Sequence, residues 1–230
     1  MDIQVIGSGS SGNSYRISDG SQSLLLDCGL SIKKIQIATN FQCSSLKGCL
    51  ITHSHSDHCK AAKDLLKLGV DLFANKETFE TLGLEGHHVH IIEDRQGFTL
   101  NNFYVLPLSV EHDVPTLSYL VNTQDERLLY VTDARFFPYQ IDGITRLMVE
   151  ANHDAEVIKH NVENGHMPES LAKRIVRTHM SIQSCLALIE KMDKSRLKEI
   201  WLLHLSENNS QADEFLQKVR AASGCVVHLA

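Results

Sequence analysis

This sequence lacks several features that would argue against an ordinary globular protein. Its longest apolar runs, such as residues 200–203, are far too short to cross a bilayer. The chain opens directly with a strand-like segment, and no basic segment followed by an apolar stretch precedes it. We therefore expect no membrane association, no secretory signal and a cytoplasmic location.

The sequence also has no internal repeat, no low-complexity segment and no linker rich in Pro, Gly or Ser. Residues 1–230 are therefore expected to form a single domain around one large core. None of the six cysteines belongs to a Cys-x-x-Cys pair, which favours reduced thiols that fill the core. Cys59 adjoins the histidine motif described below, and we expect a helix-surface thiol there rather than a metal ligand.

Positive charge is in short supply, with 22 Lys and Arg against 28 Asp and Glu and a net charge of −6. This balance argues against a protein that coats nucleic acid through its overall field. A local basic groove is still compatible with it. Two groups of basic residues could form such a groove or simply solvate helix faces: Lys60, Lys63 and Lys67, and Lys173, Arg174 and Arg177.

A glycine-rich stretch near the start has the Gly7-x-Gly9-x-x-Gly12 pattern of a dinucleotide-binding turn, and Asp27 follows at about the expected distance. That mechanism requires a helix after the third glycine. Instead the chain continues into a short strand-like run and then Asp19-Gly20, which is a hairpin signal. No room remains for a crossover helix. The loop is therefore expected to join two strands and to bind no NAD or FAD.

Apolar periodicity predicts a strand-rich chain with helices interspersed. Strands are expected near residues 2–6, 14–18, 22–27, 48–52, 71–74, 88–92, 97–108, 117–123, 127–132, 147–150, 199–205 and 225–229. Helices are expected near residues 57–68, 154–162, 168–177, 181–192 and 210–221. Each half ends in strand–helix units, which indicates two sheets with helices outside them rather than one parallel sheet.

The stretch Thr52-His53-Ser54-His55-Ser56-Asp57-His58 is the most informative part of the chain. Because side chains alternate along a strand, His53 and His55 should project to the same side where the strand ends. Asp57 and His58 should then begin a helix. One tetrahedral ion could not use all four ligands and keep an open position, so the stretch predicts two adjacent metal ions. A polar loop with exposed histidines is the poorer alternative.

Three further metal-type ligands each follow an apolar run: His112, Asp133 and His204. Any one of them alone is more often a loop residue than a ligand. All three at strand ends fit a common rim, where functional groups are set on a rigid frame.

Together, His53-x-His55-x-Asp57-His58 and the later His112, Asp133 and His204 resemble the metallo-β-lactamase superfamily over essentially the full length. The resemblance implies an α+β fold, a four-layer αββα sandwich with a dinuclear centre at one edge. It implies that His53, His55 and His112 hold one ion and that Asp57, His58 and His204 hold the other. Asp133 would bridge two divalent ions, Zn or Mn, and a water between them would become the nucleophile.

Residues 149–154, 177–181 and 203–209, with the loop Gly7 to Ser14, are similar to the YycJ/WalJ-type branch of this superfamily. That resemblance implies a nuclease, most simply a 5′ to 3′ DNA exonuclease, and a loop that lets backbone N–H groups approach a phosphate. One departure concerns substrate preference: the branch usually has Gly-His-Leu-Ser-Asn where this chain has residues 178–182, Thr-His-Met-Ser-Ile.

Phosphodiesterase relatives such as tRNase Z pair a glutamate with a later histidine. On that pattern Glu150 would orient His179, which would protonate the leaving oxygen as a general acid. His153 is left open between contacting phosphate, assisting a metal and simple hydrogen bonding. The candidate catalytic residues are Asp57, Glu150, His153 and His179, and the candidate substrate-binding residues are Ser11, Asn13, Asn152, Arg177 and Ser181.

The spacing of the ligands favours a compact nuclease. His112 and Asp133 are 133 − 112 = 21 residues apart, too few for a long tRNA-gripping arm, and Asp133 and His204 are 204 − 133 = 71 apart, too few for an added domain. The alternatives are a hydrolase of small esters, thioesters or lactones, or a cyclic-nucleotide phosphodiesterase, on the same metal core. A non-catalytic metal-binding interaction protein is the alternative from another class. The sequence leaves the oligomeric state open.

Overall fold

The computed structural model describes all residues from 1 to 230. The chain divides into two compact units, and each is described by itself. Unit 1 contains residues 1–109 and 114–126, and unit 2 contains residues 110–113 and 127–230. The strands form two mixed sheets with helices, which confirms the predicted two-sheet organisation.

The strands are β1 (Asp2–Gly7), β2 (Ser14–Ser18), β3 (Ser23–Leu26), β4 (Cys49–Leu50), β5 (Leu72–Ala74), β6 (Val89–Ile91), β7 (Phe98–Leu100), β8 (Phe103–Val110), β9 (Thr116–Asn122), β10 (Arg127–Val131), β11 (Arg146–Glu150), β12 (Glu199–Leu203) and β13 (Val226–Leu229). The helices are α1 (Ile32–Ala38), α2 (Ser56–Cys59), α3 (Ala62–Lys67), α4 (Lys76–Leu82), α5 (Ala155–Glu163), α6 (Glu169–Thr178), α7 (Ile182–Lys191) and α8 (Ala212–Ser223). The longest, α8, has 12 residues, and no helix has the length and apolar character that a bilayer crossing requires.

Unit 1 contains a sheet with the strand order β1-β2-β3-β4-β5-β6. The first three strands are antiparallel, and β3 to β6 are parallel. The glycine-rich loop connects β1 directly to β2, and the Asp19-Gly20 turn connects β2 to β3, as predicted. Asp19 Oδ1 accepts hydrogen bonds from the N–H groups of Ser21 and Gln22, and Gly20 has a φ of 96°, which explains the Asp-Gly pair.

The helix predicted over residues 57–68 is two short helices, α2 and α3. The chain turns between them because the N–H of Ala61 donates to the carbonyl of Cys28 at 2.9 Å, outside the helix. The prediction of a helix-surface thiol at Cys59 is wrong. Cys59 is buried in the apolar core of unit 1, and its Sγ contacts the carbonyls of Ser54 and His55. Burial raises the pKa of this thiol to about 12.

The strand predicted over residues 97–108 is a hairpin, in which β7 and β8 pair antiparallel. Asn101-Asn102 forms the turn, and Asn101 has a φ of 55°, a conformation that asparagine tolerates. Two seven-residue helices, α1 and α4, were not predicted. The end signals of α4 are present in the sequence, since Asn75 caps its start and Gly83 ends it with a φ of 60°.

Unit 2 is built on four parallel strands in the order β10-β11-β12-β13. Strands β11 and β12 are buried over most of their length, which explains their near-continuous apolar runs. Helices α5, α6 and α7 lie between β11 and β12 in the chain, and α8 lies between β12 and β13. Since the strands are parallel, the carboxyl ends of β10, β11 and β12 share one edge. Asp133, Glu150 and His204 all stand at these ends.

Candidate metal centre

In unit 1, His53 and His55 follow β4 and point to the same side, as predicted. His53 is fully buried, and its Nε2 lies 2.9 Å from Nδ1 of His55. The other ring nitrogen of His53, Nδ1, lies 3.0 Å from the hydroxyl of Thr52. These nitrogens of His53 and His55 therefore lie side by side, and the contact with Thr52 fixes the His53 ring from its opposite nitrogen.

His58 is oriented by a buried carboxylate that the ligand pattern does not include. Its Nδ1 donates to Oδ2 of Asp27 at 2.8 Å, and both side chains are fully buried. Asp27 is held in turn by the N–H of Thr52, which donates to Oδ1 at 2.8 Å. A carboxylate that accepts the proton of one ring nitrogen leaves the other nitrogen, Nε2, unprotonated and able to bind a metal ion. Asp27 thus serves the histidine motif rather than a ribose.

Asp57 lies beside His58, with its Oδ2 3.6 Å from Nε2 of that ring. Its carbonyl accepts a hydrogen bond from the N–H of Asn13 at 2.7 Å, which ties α2 to the glycine-rich loop. The side chain of Asn13 is fully buried: its Oδ1 accepts from the N–H of Gly9, and its Nδ2 lies 3.0 Å from His58 Nε2. Ser11, in the same loop, is exposed.

Unit 2 contains its own cluster of ligand-type groups. Asp133, Glu150, His179 and His204 each offer one ligand atom, and these atoms lie within 4.8 Å of one another. Asp133, Glu150 and His204 are buried, whereas the side chain of His179 is 19% exposed. The cluster therefore combines two carboxylates and two imidazoles, of which one reaches solvent.

Glu150 is the centre of this cluster. Its Oε1 accepts from Nδ1 of His179 at 2.7 Å and from Nδ1 of His204 at 3.1 Å, and its Oε2 accepts from the N–H of Met180 at 2.9 Å. Burial alone would raise the pKa of Glu150, but the adjacent His179 and these hydrogen bonds hold it below its usual value. Glu150 is thus an ionised, fully buried carboxylate that orients two imidazoles at once.

His179 directly follows Thr178, the last residue of α6. Desolvation opposes its charged form, but the carboxylates of Glu150 and Asp133 outweigh that effect and raise the pKa of His179. The nearest Asp133 oxygen lies 3.2 Å from Nδ1. Because Nδ1 donates to Glu150, Nε2 is the nitrogen available for proton exchange with a ligand.

His112 is oriented in a similar way by the backbone. Its Nδ1 donates to the carbonyl of Thr178 at 2.9 Å, and its Nε2 lies 3.0 Å from Oδ1 of Asp113. Burial is the main cause that lowers the pKa of His112. The neutral ring, with its proton on Nδ1, is the form that ligates metals.

Three of these residues adopt a backbone conformation that non-glycine residues rarely use. Asp27, Asp133 and His204 have φ values of 57°, 49° and 53°, and each stands just after a strand. Such a conformation costs of the order of 1 kcal/mol or more and persists at sites where the surroundings enforce it.

The remaining candidates of unit 2 serve the cluster in different ways. Asn152 donates through Nδ2 to the carbonyl of His204 at 2.8 Å, so it positions that strand end. His153 is 1% exposed, its Nδ1 has no hydrogen-bond partner, and burial lowers its pKa to about 4. Ser181 caps α7 by accepting from the N–H of Ser184, and Arg177 is exposed in the last turn of α6.

The donor set fits divalent metal ions. Imidazole nitrogens and carboxylate oxygens suit zinc and manganese. His58, His112 and His204 each donate one ring N–H to a carboxylate or a carbonyl, which is the pattern of metal-bound histidines. Sequence reasoning missed Asp27 as part of this arrangement; the signal in the sequence was its place directly after the apolar run of residues 24–26.

The β-lactamase superfamily domain matches residues 22–204 of the chain. The structure of YhfI, a metallo-β-lactamase fold protein from Bacillus subtilis, is similar with a TM-score of 0.78 at 18% identity, over 99% of this chain and 95% of that one. The chain therefore belongs to the metallo-β-lactamase superfamily of hydrolases, and the predicted fold is confirmed.

Two relatives are similar to this chain over most of its length. Exodeoxyribonuclease WalJ from Streptococcus pneumoniae is 30% identical over 224 residues, which cover 90% of this chain and 82% of that protein. Exodeoxyribonuclease YycJ from Bacillus anthracis is 25% identical over 232 residues, which cover 93% and 85%. The predicted resemblance to this branch is thus confirmed.

Proposed function

We propose that the protein is a dinuclear metal-dependent phosphodiesterase and, more narrowly, a DNA exonuclease that acts from the 5′ end. The observation that carries the proposal is the hydrogen bond of 2.7 Å between Glu150 and His179, inside a cluster with Asp133 and His204. A hydrolase of small esters or lactones has no phosphodiester leaving oxygen to protonate, so it would leave His179 without a role as a general acid. The names of the two exodeoxyribonuclease relatives support DNA as the substrate.

The metal ligands in this proposal are those of the superfamily pattern. One ion would be held by His53, His55 and His112, and the other by Asp57, His58 and His204, with Asp133 shared between the two. Residues 1–230 would act as one catalytic domain. When bound, two such ions supply a hydroxide nucleophile near neutral pH and stabilise negative charge on the phosphate. The chain's own residues orient the ligands and handle the leaving group.

The leaving oxygen of a phosphodiester needs a proton as the P–O bond breaks. His179 is placed to donate it from Nε2, because Nδ1 is fixed by Glu150 and the ring is the solvent-reaching member of the cluster. Glu150 keeps its geometry because Met180 N–H holds its second oxygen. Glu150 also orients His204, so one carboxylate fixes the ring orientation of both the proposed general acid and a proposed metal ligand.

The test compares His179→Ala with the wild type on two substrates in the presence of Zn²⁺ or Mn²⁺. Turnover of single-stranded DNA should fall by roughly a hundred- to ten-thousandfold, the usual contribution of a positioned general acid. The loss should be much smaller on bis(p-nitrophenyl) phosphate, whose leaving group needs no proton. Metal content, measured by elemental analysis, should stay at about two ions per chain.

A matched control is His160→Ala, which removes an exposed histidine of α5 outside the cluster and should change neither rate. Cleavage of DNA by His179→Ala at the wild-type rate would refute the general-acid role. A metal-loaded wild type that cleaves esters or lactones but no phosphodiester would refute the proposed function itself.

A further inference from the structure

Unit 2 contains a cavity of about 700 Å³ between the loop that follows Asp133 and helix α7. Its loop side carries three aromatic side chains, Phe136, Phe137 and Tyr139. Its helix side includes Leu188 and, at the end of α7, Lys191. The volume is in the range of small-molecule pockets, so one nucleobase with its sugar would fit.

The aromatic side of this cavity is accessible to solvent. Phe136 is 45% exposed although it is a large apolar side chain. The rings of Phe137 and Tyr139 pack edge to face with centroids 5.3 Å apart, and Pro138 between them restricts the backbone. An aromatic surface that is open to solvent is suited to stacking a planar ligand.

Both walls of the cavity begin at the carboxylate–histidine cluster. The loop leaves from Asp133, and consecutive Cα atoms are about 3.8 Å apart, so the Cα of Phe136 is at most about 11 Å from that of Asp133. Helix α7 begins at Ile182, three residues after His179. The cavity therefore starts within a few residues of the cluster on both walls, at Phe136 and at Ser184.

A cationic groove adjoins the same loop. Arg135, the residue before Phe136, lines a second, open cavity of about 450 Å³ together with Lys173 and Arg177 of α6. Glu169 also lies in this groove and pairs with Lys173 at 2.7 Å. Three cations against one carboxylate leave the groove positive, on a chain whose net charge is −6. The loop thus presents a cation to one cavity and aromatic rings to the next.

We propose that the aromatic cavity stacks a base of a single-stranded nucleic acid whose phosphates run along Arg135, Lys173 and Arg177. A positive groove beside an aromatic platform is the arrangement by which proteins bind single strands without reading sequence. The inference rests on the proposed function and deepens it, because it makes the protein select an unpaired strand next to the phosphodiester that is cut.

The experiment measures the Kd of full-length, metal-loaded protein for a fluorescent oligodeoxythymidylate with phosphorothioate linkages, by fluorescence anisotropy. Phe136→Ala should weaken binding by roughly five- to a hundredfold, the loss typical of one stacked base. Phe136→Leu, which keeps an apolar side chain, should not restore it, whereas Phe136→Trp should. Thermal melting checks that each variant is folded.

Arg135→Ala tests the groove separately. It should weaken binding and reduce the slope of log Kd against log salt concentration by about 0.7, the value for one lost phosphate contact to a single strand. Phe41→Ala is the matched control, since Phe41 is 71% exposed on unit 1 and outside the site, and it should leave the Kd unchanged.

An oligouridylate of equal length tests whether the subsite accepts RNA as well as DNA. If its Kd depends on Phe136 in the same way, the subsite accepts either nucleic acid. If Phe136→Ala, or a folded Phe136→Leu, binds the oligonucleotide as the wild type does, the stacking site is refuted while the phosphodiesterase proposal stands. If the wild type neither binds oligonucleotides nor cleaves any phosphodiester, the proposed function is what fails.

Discussion

Replacing Asp27 by asparagine should disable His58 as a metal ligand while leaving the shape of the site almost unchanged. In the wild type, Oδ2 of Asp27 accepts the Nδ1 proton of His58 at 2.8 Å, and Oδ1 accepts the N–H of Thr52 at 2.8 Å. An asparagine can keep the bond to Thr52 only by turning its NH₂ group toward His58. That ring must then carry its proton on Nε2, the nitrogen needed for the metal.

The size of the effect follows from this geometry. Loss of the carboxylate that orients a metal-bound histidine typically costs ten- to a hundredfold in metal affinity, or about 1.4 to 2.8 kcal/mol. Asp27 is fully buried, and a hydrogen bond to a charged group contributes about 1.5 to 3 kcal/mol, so the metal-free protein should also unfold more easily. For a chain of this length we expect the melting temperature to fall by several degrees.

The assay is a titration of metal-free protein with Zn²⁺ in competition with a chelator of known affinity. Asp71→Asn is a matched control, because Asp71 likewise accepts hydrogen bonds from histidine rings, those of His88 and His90, but is 39% exposed and outside the motif. The control should bind metal as the wild type does. Asp27→Asn with wild-type affinity at every site would show that the carboxylate does not orient His58 for metal.

Two further predictions concern stability. A β-carbon at Gly29 would overlap the carbonyl group of Asp57, so Gly29→Ala should lower the melting temperature and reduce metal binding together, and wild-type values of both would contradict the packing. Burial lowers the pKa of His153 to about 4 from its usual 6.5, so the folded state holds this ring neutral. The unfolded chain binds a proton there more readily, so the unfolding free energy that is present above pH 6.5 is lost as the pH falls toward 4. Between pH 7 and pH 5 the wild type should lose about 2 kcal/mol more unfolding free energy than His153→Gln, measured by urea denaturation, and parallel pH curves would refute this.

Much of the fold could be predicted because its elements carry local signals. The strands of unit 2 are continuous apolar runs, and the helices from α5 to α8 have clear amphipathic periods. The hairpin at Asn101-Asn102 and the short helices α1 and α4 escaped prediction. Each is a few residues long, and a periodicity needs more than two turns to be recognised.

The ligand-type residues could also be predicted, since histidines and carboxylates that directly follow apolar strands are visible in the chain. Asp133, Glu150 and His204 lie together because β10, β11 and β12 are parallel neighbours in the sheet. The order of strands in a sheet depends on packing between segments that are distant in the sequence. The burial of Cys59 and the contact of Asn13 with His58 depend on the same long-range packing.

The sequence by itself determined which residues can bind metal and where strands end. Only the tertiary structure decided which groups orient them: Asp27 lies 58 − 27 = 31 residues from His58, and Glu150 lies 179 − 150 = 29 residues from His179. Periodicity reports the side of an element on which a residue stands, but not what packs against it. A hydrogen bond between buried groups forms only where the folded chain removes both from water, and no local pattern records that meeting.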